Sequence, residues 1–193
     1  MSRTKPAEQR RSDLLASSRR LFVEKGIAAT TLEEITDGAG VSKGLFYVYF
    51  RSKDELVSAL QLDFSEQFAK RLESAAGAET DWAKKLDACV QASFETYRDW
   101  RDLHDVLFHR SEHHANLGPE GRPSHMLIVD VLRDLLEVGA RAQAYRVADA
   151  ESTATLLYVC MHAFDPTIHG GRPPGDQKVV RATKELFRRA AGV

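Results

Sequence analysis

Apolar residues return along this chain at intervals of three and four. Nowhere do they alternate with polar residues long enough to specify a strand, so the pattern predicts helices throughout. The first is expected over 7–24, with Leu14, Leu15, Ser18, Leu21 and Phe22 on one face and Gly26 as its stop. Two short helices follow. The earlier starts at Thr30 or Thr31, because Thr31 with Glu34 and Thr30 with Glu33 both fit a capping box, and it ends near Gly38-Ala39-Gly40. The later is capped by Ser42 and contains Phe46, Tyr49 and Phe50. A fourth helix opens with the box Ser52-Lys53-Asp54-Glu55, carries Leu56, Leu60, Phe64 and Phe68 four residues apart, and breaks at Gly77. Five more are expected over 81–100, 102–113, 124–144, 148–164 and 176–190, with Gly- and Pro-rich breakers at 118–123 and 170–175. The sum is an all-α chain of about nine helices.

Charge changes this picture. The whole chain has a net charge of −1. Residues 1–53, however, hold ten Lys/Arg against six Asp/Glu, a balance of +4, and residues 54–193 hold seventeen against twenty-two, a balance of −5. A basic first third on an acidic remainder points to a polyanion at one end. The polar opening residues and the lack of any apolar run of about 18 residues lead us to expect a cytoplasmic protein with no membrane partner. Cys89 and Cys160 both fall among apolar helical residues and are expected to be inert thiols.

Enzyme classes find little support. No histidine has a glutamate three residues before it, as di-iron bundles require, and the chain has no Gly-x-Ser-x-Gly elbow, phosphate-binding glycine loop or Cys-x-x-Cys.

Residues 31–50 carry the functional argument. Two short helices joined by a glycine turn and held by a longer preceding helix describe a helix-turn-helix, whose second helix enters the major groove. Helical spacing turns Val41, Phe46, Phe50 and part of Leu45 inward, and Lys43, Gly44, Tyr47 and Val48 outward. An outward tyrosine and valine suit a groove better than they suit water. The run from Ala29-Thr30-Thr31-Leu32-Glu33-Glu34-Ile35 through Gly40-Val41-Ser42-Lys43-Gly44-Leu45-Phe46-Tyr47-Val48-Tyr49-Phe50-Arg51-Ser52-Lys53-Asp54-Glu55-Leu56 resembles the DNA-binding region of the TetR/AcrR family of transcriptional regulators. By that resemblance, Thr31, Ser42, Lys43, Gly44, Leu45, Tyr47, Val48, Tyr49 and Lys53 lie at the DNA face, with Tyr47 and Lys53 as phosphate contacts. Thr36 and Gly38 depart from the family's usual alanine. Leu45 and Val48 are apolar where the family often has polar residues, which leaves the operator sequence open.

The resemblance implies two domains: a DNA-binding domain over 1–53 and an effector-binding and dimerisation domain over 54–193. It implies a homodimer on double-stranded operator DNA and a small-molecule effector that releases a repressor. The eighth and ninth helices are the expected dimer surface, two from each chain forming a four-helix bundle as the resemblance implies. Leu156, Leu157, Val159, Cys160, Met161, Ala163 and Phe164 make the eighth apolar nearly all round, which predicts burial on all sides. In the ninth, Val179, Val180, Thr183, Leu186, Phe187 and Ala190 form a stripe. Candidate cavity residues are Phe64, Phe68, Trp82, Phe94, Trp100, Phe108, His109, Met126, Met161, His162 and Phe164. No cofactor is required, but His109 and His113, with His162, Asp165 and His169, have helical spacings that could gather a divalent metal. Two other readings stand beside the regulator: an architectural DNA binder without effector, and a helical-bundle metalloenzyme.

Overall fold

The computed structural model describes residues 6–109, 122–165 and 176–193. Its elements are α1 (Ala7–Lys25), α2 (Leu32–Ala39), α3 (Lys43–Tyr49), α4 (Lys53–Gly77), α5 (Trp82–His104), a π-helical stretch at Asp105–His109, α6 (Met126–Arg141), α7 (Ala150–Met161), a 3-10 turn at His162–Phe164, and α8 (Asp176–Ala191). No strand occurs among the described residues.

The described residues fall into two compact units. One is drawn from Met1–Phe64 with Arg101–Pro123, the other from Ser65–Trp100 with Ser124–Val193. In the first unit Leu14, Phe22, Ile35, Phe46 and Leu56 are fully buried. Each such side chain contributes about 1.5–3 kcal/mol relative to exposure. The early part of α4 belongs here because Arg19 of α1 pairs with Asp63 and the Gln61 amide donates to the Leu107 carbonyl at 2.8 Å. In the second unit Leu72, Leu86, Leu132, Leu136 and Phe187 form the core.

Local chemistry accounts for most boundaries. The expected helices over 81–100 and 102–113 are one run, α5, with a break at Trp100 (φ −118°, ψ 16°), followed by the π-helical stretch. No glycine or proline marks the break. Instead the Arg71 guanidinium of α4 lies 4.1 Å from the Trp100 ring and 3.5 Å from the Asp99 carboxylate. Asp149 caps α7 by accepting from the Ser152 amide at 3.1 Å, and the Ser152 side chain, then that amide, hold its carboxyl below the usual range. Just past the end of α6, Gln143 takes a left-handed φ of 58° and the chain folds back so that Tyr145 covers Gly139. A Cβ there would lie 2.0 Å from the Tyr145 ring, whose hydroxyl donates to the Trp82 carbonyl at 2.7 Å.

The eighth predicted helix, now α7, is not buried on all sides within the single chain, and the face it leaves bare lies on the expected dimer surface. Leu157 and Met161 are buried, but Leu156 and Val159 are 65% and 58% exposed. An apolar helix in a single chain keeps one face in water when no element of that chain covers it.

Candidate nucleic-acid interface

The reading helix is positioned by backbone caps. Of the two capping boxes the sequence allows, the chain forms the later one. The Thr31 hydroxyl accepts from the Glu34 amide at 3.3 Å, while the Glu34 carboxylate accepts from the Thr31 amide at 2.8 Å. Thr30 is instead buried, its hydroxyl donating to the Gly26 carbonyl at 2.7 Å. The Lys25 ammonium and the Thr31 groups bound to Glu34 pull that carboxyl down to about 2. At Gly40 the backbone adopts φ 66°, a left-handed conformation that glycine takes without a Cβ penalty. Ser42 then caps α3 by accepting from the Leu45 amide at 3.3 Å.

Two further contacts fix α2 and α3. Gly38 stands against α1, since a Cβ there would lie 2.3 Å from the Ser17 hydroxyl oxygen. That close approach supplies a reason for glycine where the family usually has alanine. On α3, Phe46 is fully buried and its ring packs against Phe50 at 5.7 Å and edge-on to Tyr47 at 5.5 Å.

The outward face emerges as its spacing predicts. Lys43, Gly44, Tyr47 and Val48 are exposed, Tyr47 by 55% and Val48 by 72%, while Leu45 and Tyr49 are half-buried. Thr31 and Ser42 are exposed beside them. The Lys43 ammonium donates to the Glu33 carboxylate at 3.0 Å, which raises its pKa and makes Glu33 a local competitor for that charge. Lys53 behaves differently. It is half-buried, and its ammonium donates to the Ile27 carbonyl at 2.8 Å and the Thr30 carbonyl at 3.1 Å, clasping the turn between α1 and α2.

The candidate cavity residues divide between the units. Phe64 and Phe108 belong to the first, rings 5.4 Å apart, with His104 against both. Phe68, Phe94, Trp100, Met126, Met161, His162 and Phe164 belong to the second, where Phe94 meets Phe164 at 5.4 Å. The Trp82 ring lies edge-on to Tyr145 at 5.4 Å. A surface cleft of about 340 Å³ in the second unit is lined by Ala75, Glu79, Asp87, Gln91, Lys184 and neighbours, none of them a candidate cavity residue.

His113, His169 and the side chain of His109 lie outside the described residues. Of the remaining metal candidates, His162 has its Nδ1 3.3 Å from the Tyr158 carbonyl and Asp165 is buried. Among the described residues no group of three or more His, Cys, Asp or Glu side chains is arranged to hold a metal. The sequence reading passed over His125, which stacks on Tyr158 at 5.2 Å while His162 meets the same ring edge-on at 5.0 Å. Burial, and then the charge of His162, lowers the His125 pKa, and burial pushes Tyr158 up to about 12. Periodicity could not have found His125, because it stands just outside α6.

Comparison with known proteins is consistent with this arrangement. Residues 14–60 match the family described as "Bacterial regulatory proteins, tetR family". The HTH-type transcriptional repressor KstR2 of Mycobacterium tuberculosis is 35% identical over 86 residues, 45% of this chain, but the match spans only 43% of that relative's length. The HTH-type transcriptional regulator TtgR of Pseudomonas putida is 26% identical over 193 residues, covering 97% of this chain and 79% of the relative. The transcriptional regulator FadR of Bacillus subtilis, solved with stearoyl-CoA, superposes with a TM-score of 0.72 at 17% identity, over 93% of this chain and 98% of that one. With residues 14–60 matched in sequence and the fold shared across nearly the whole length, this chain is similar to the tetR family of bacterial regulatory proteins.

Proposed function

We propose that the chain is a transcriptional regulator that binds double-stranded operator DNA through α3 as a homodimer, and that a small-molecule effector lowers its operator affinity. The observation that carries this reading is the outward face of α3. An aromatic and an aliphatic side chain stand in water beside Lys43, on a helix whose start is capped by Ser42 and whose inner face is anchored by Phe46. Such a face pairs a phosphate-seeking charge with groups that make contact with base edges. The dimer is supported by the uncovered Leu156 and Val159 of α7 and by Leu186 of α8, exposed on its own helix. A two-fold axis would set two reading helices about one DNA turn, ~34 Å, apart. The effector is supported by the stearoyl-CoA bound to the Bacillus subtilis regulator of like fold. An effector acts by binding the DNA-free arrangement more tightly than the DNA-bound one.

The test is a gel shift of the full chain on duplex DNA from the promoter beside its own gene. A complex that weakens steeply with added salt is expected. A chain that forms no salt-sensitive complex on that duplex, or on any site recovered from a random duplex library, would not be a DNA-binding regulator.

A further inference from the structure

Two neighbouring positions on α3 run against helix preference, and nothing in the fold explains either. Gly44 is the second residue of the helix, without a left-handed backbone, and a Cβ added there would meet nothing within 4 Å. The fold would accept alanine, which favours a helix by up to about 1 kcal/mol. Val48 lies one turn further on the same stripe, a β-branched aliphatic side chain 72% exposed. Glycine followed by valine at i+4 leaves a shallow notch with an apolar wall. Tyr47 flanks it, its ring set by the edge-on contact with buried Phe46. Lys43 and Arg51, both exposed, supply positive charge on either side along the chain. Departures from local preference that the fold does not need are expected where something outside the chain is recognised.

The geometry points to this notch as a reader of the thymine 5-methyl group in the major groove, with Val48 as the specificity-determining residue and Gly44 as the clearance that lets the base edge approach. The inference rests on the DNA-binding reading above and names what that site selects. The 5-methyl is the one apolar feature a base pair presents in the major groove, and a valine side chain can contact it but cannot hydrogen-bond to a purine edge. One methyl removed from water by such a contact is worth about fourfold in affinity.

The experiment uses the full chain and a duplex recovered from a random library by repeated binding. Each thymine of that duplex is replaced in turn by deoxyuridine, which removes only the methyl, and affinity is read by fluorescence anisotropy. One thymine per half-site is expected to show a loss of about fourfold on replacement. V48A should bind the thymine and uridine duplexes equally, so that altered stacking of uridine cannot account for the loss. G44A should unfold at a higher temperature than the natural chain and yet bind the thymine duplex more weakly. The inference is overturned if no single replacement changes affinity by more than twofold, if V48A still separates the two duplexes, or if G44A binds as well as the natural chain. If the library yields no enriched, salt-sensitive site, the DNA-binding reading falls first and takes the inference with it.

Discussion

Among the described residues, the most exposed apolar side chains of α3 and those of α7 and α8 stand in water in different company. On α3, Tyr47 and Val48 stand on a seven-residue helix with Lys43 and a bare glycine beside them. On α7 and α8, Leu156, Val159 and Leu186 stand on helices of 12 and 16 residues. Apolar exposure makes both candidates for contact surfaces. The surroundings separate them: charge interleaved with clearance suits a polyanion whose bases must be approached closely, and aliphatic rows on long helices suit another protein surface.

The largest expected effect breaks the second surface. L156E combined with V159E alters positions that the single chain leaves in water, so the monomer should fold. Sedimentation velocity should show monomers, and operator affinity should fall by about 100-fold or more because the half-sites no longer bind as a unit. A double variant that still sediments as a dimer would place the pairing surface elsewhere. K43Q sharpens the contrast from the other side. It should weaken operator binding by roughly three- to tenfold and make the salt slope shallower by about one, with sedimentation unchanged.

A smaller effect asks which surface Lys53 serves. Because its ammonium is spent on the Ile27 and Thr30 carbonyls, K53M should lower stability in urea unfolding by about 1–3 kcal/mol and leave the salt slope as it was. A shallower slope with unchanged stability would return Lys53 to the phosphate contacts. The smallest effect concerns the seat of α2. G38A gains helix propensity but meets the Ser17 hydroxyl, so alone it should destabilise or change little. Joined to S17A, which removes a buried oxygen without a hydrogen-bond partner, it should stabilise by up to about 1 kcal/mol in thermal unfolding.

Helix starts were legible in the sequence because caps are local. Thr31 with Glu34, and Ser42 with the amide of Leu45, need only three residues of context. The outward set of α3 was legible for the same reason, since one helical period fixes it. Lys53 was not. Its destination lies more than twenty residues back along the chain, and a four-carbon stem can point a charge at solvent or at carbonyls with equal ease. The break at Trp100 was legible as a boundary between two expected helices, but the continuous run and its π-helical sequel were not, because the Arg71 stack that accompanies it comes from another helix. The eighth helix was legible as a pairing surface, but which of its apolar residues stay bare in one chain, Leu156 and Val159 rather than Leu157 and Met161, was not, because counting apolar residues around a helix does not tell which of them the chain's own elements cover.

The two thiols are unequal in a way a chemist can use. Cys89 is sealed in the core with its proton held up to about 12, whereas Cys160 is half-buried and follows Val159 directly on α7. A maleimide dye added to the folded chain therefore has one place to go, alongside the aliphatic row. The natural sequence thus carries its own attachment point for an optical reporter of the subunit pairing proposed for that face, with no engineered cysteine.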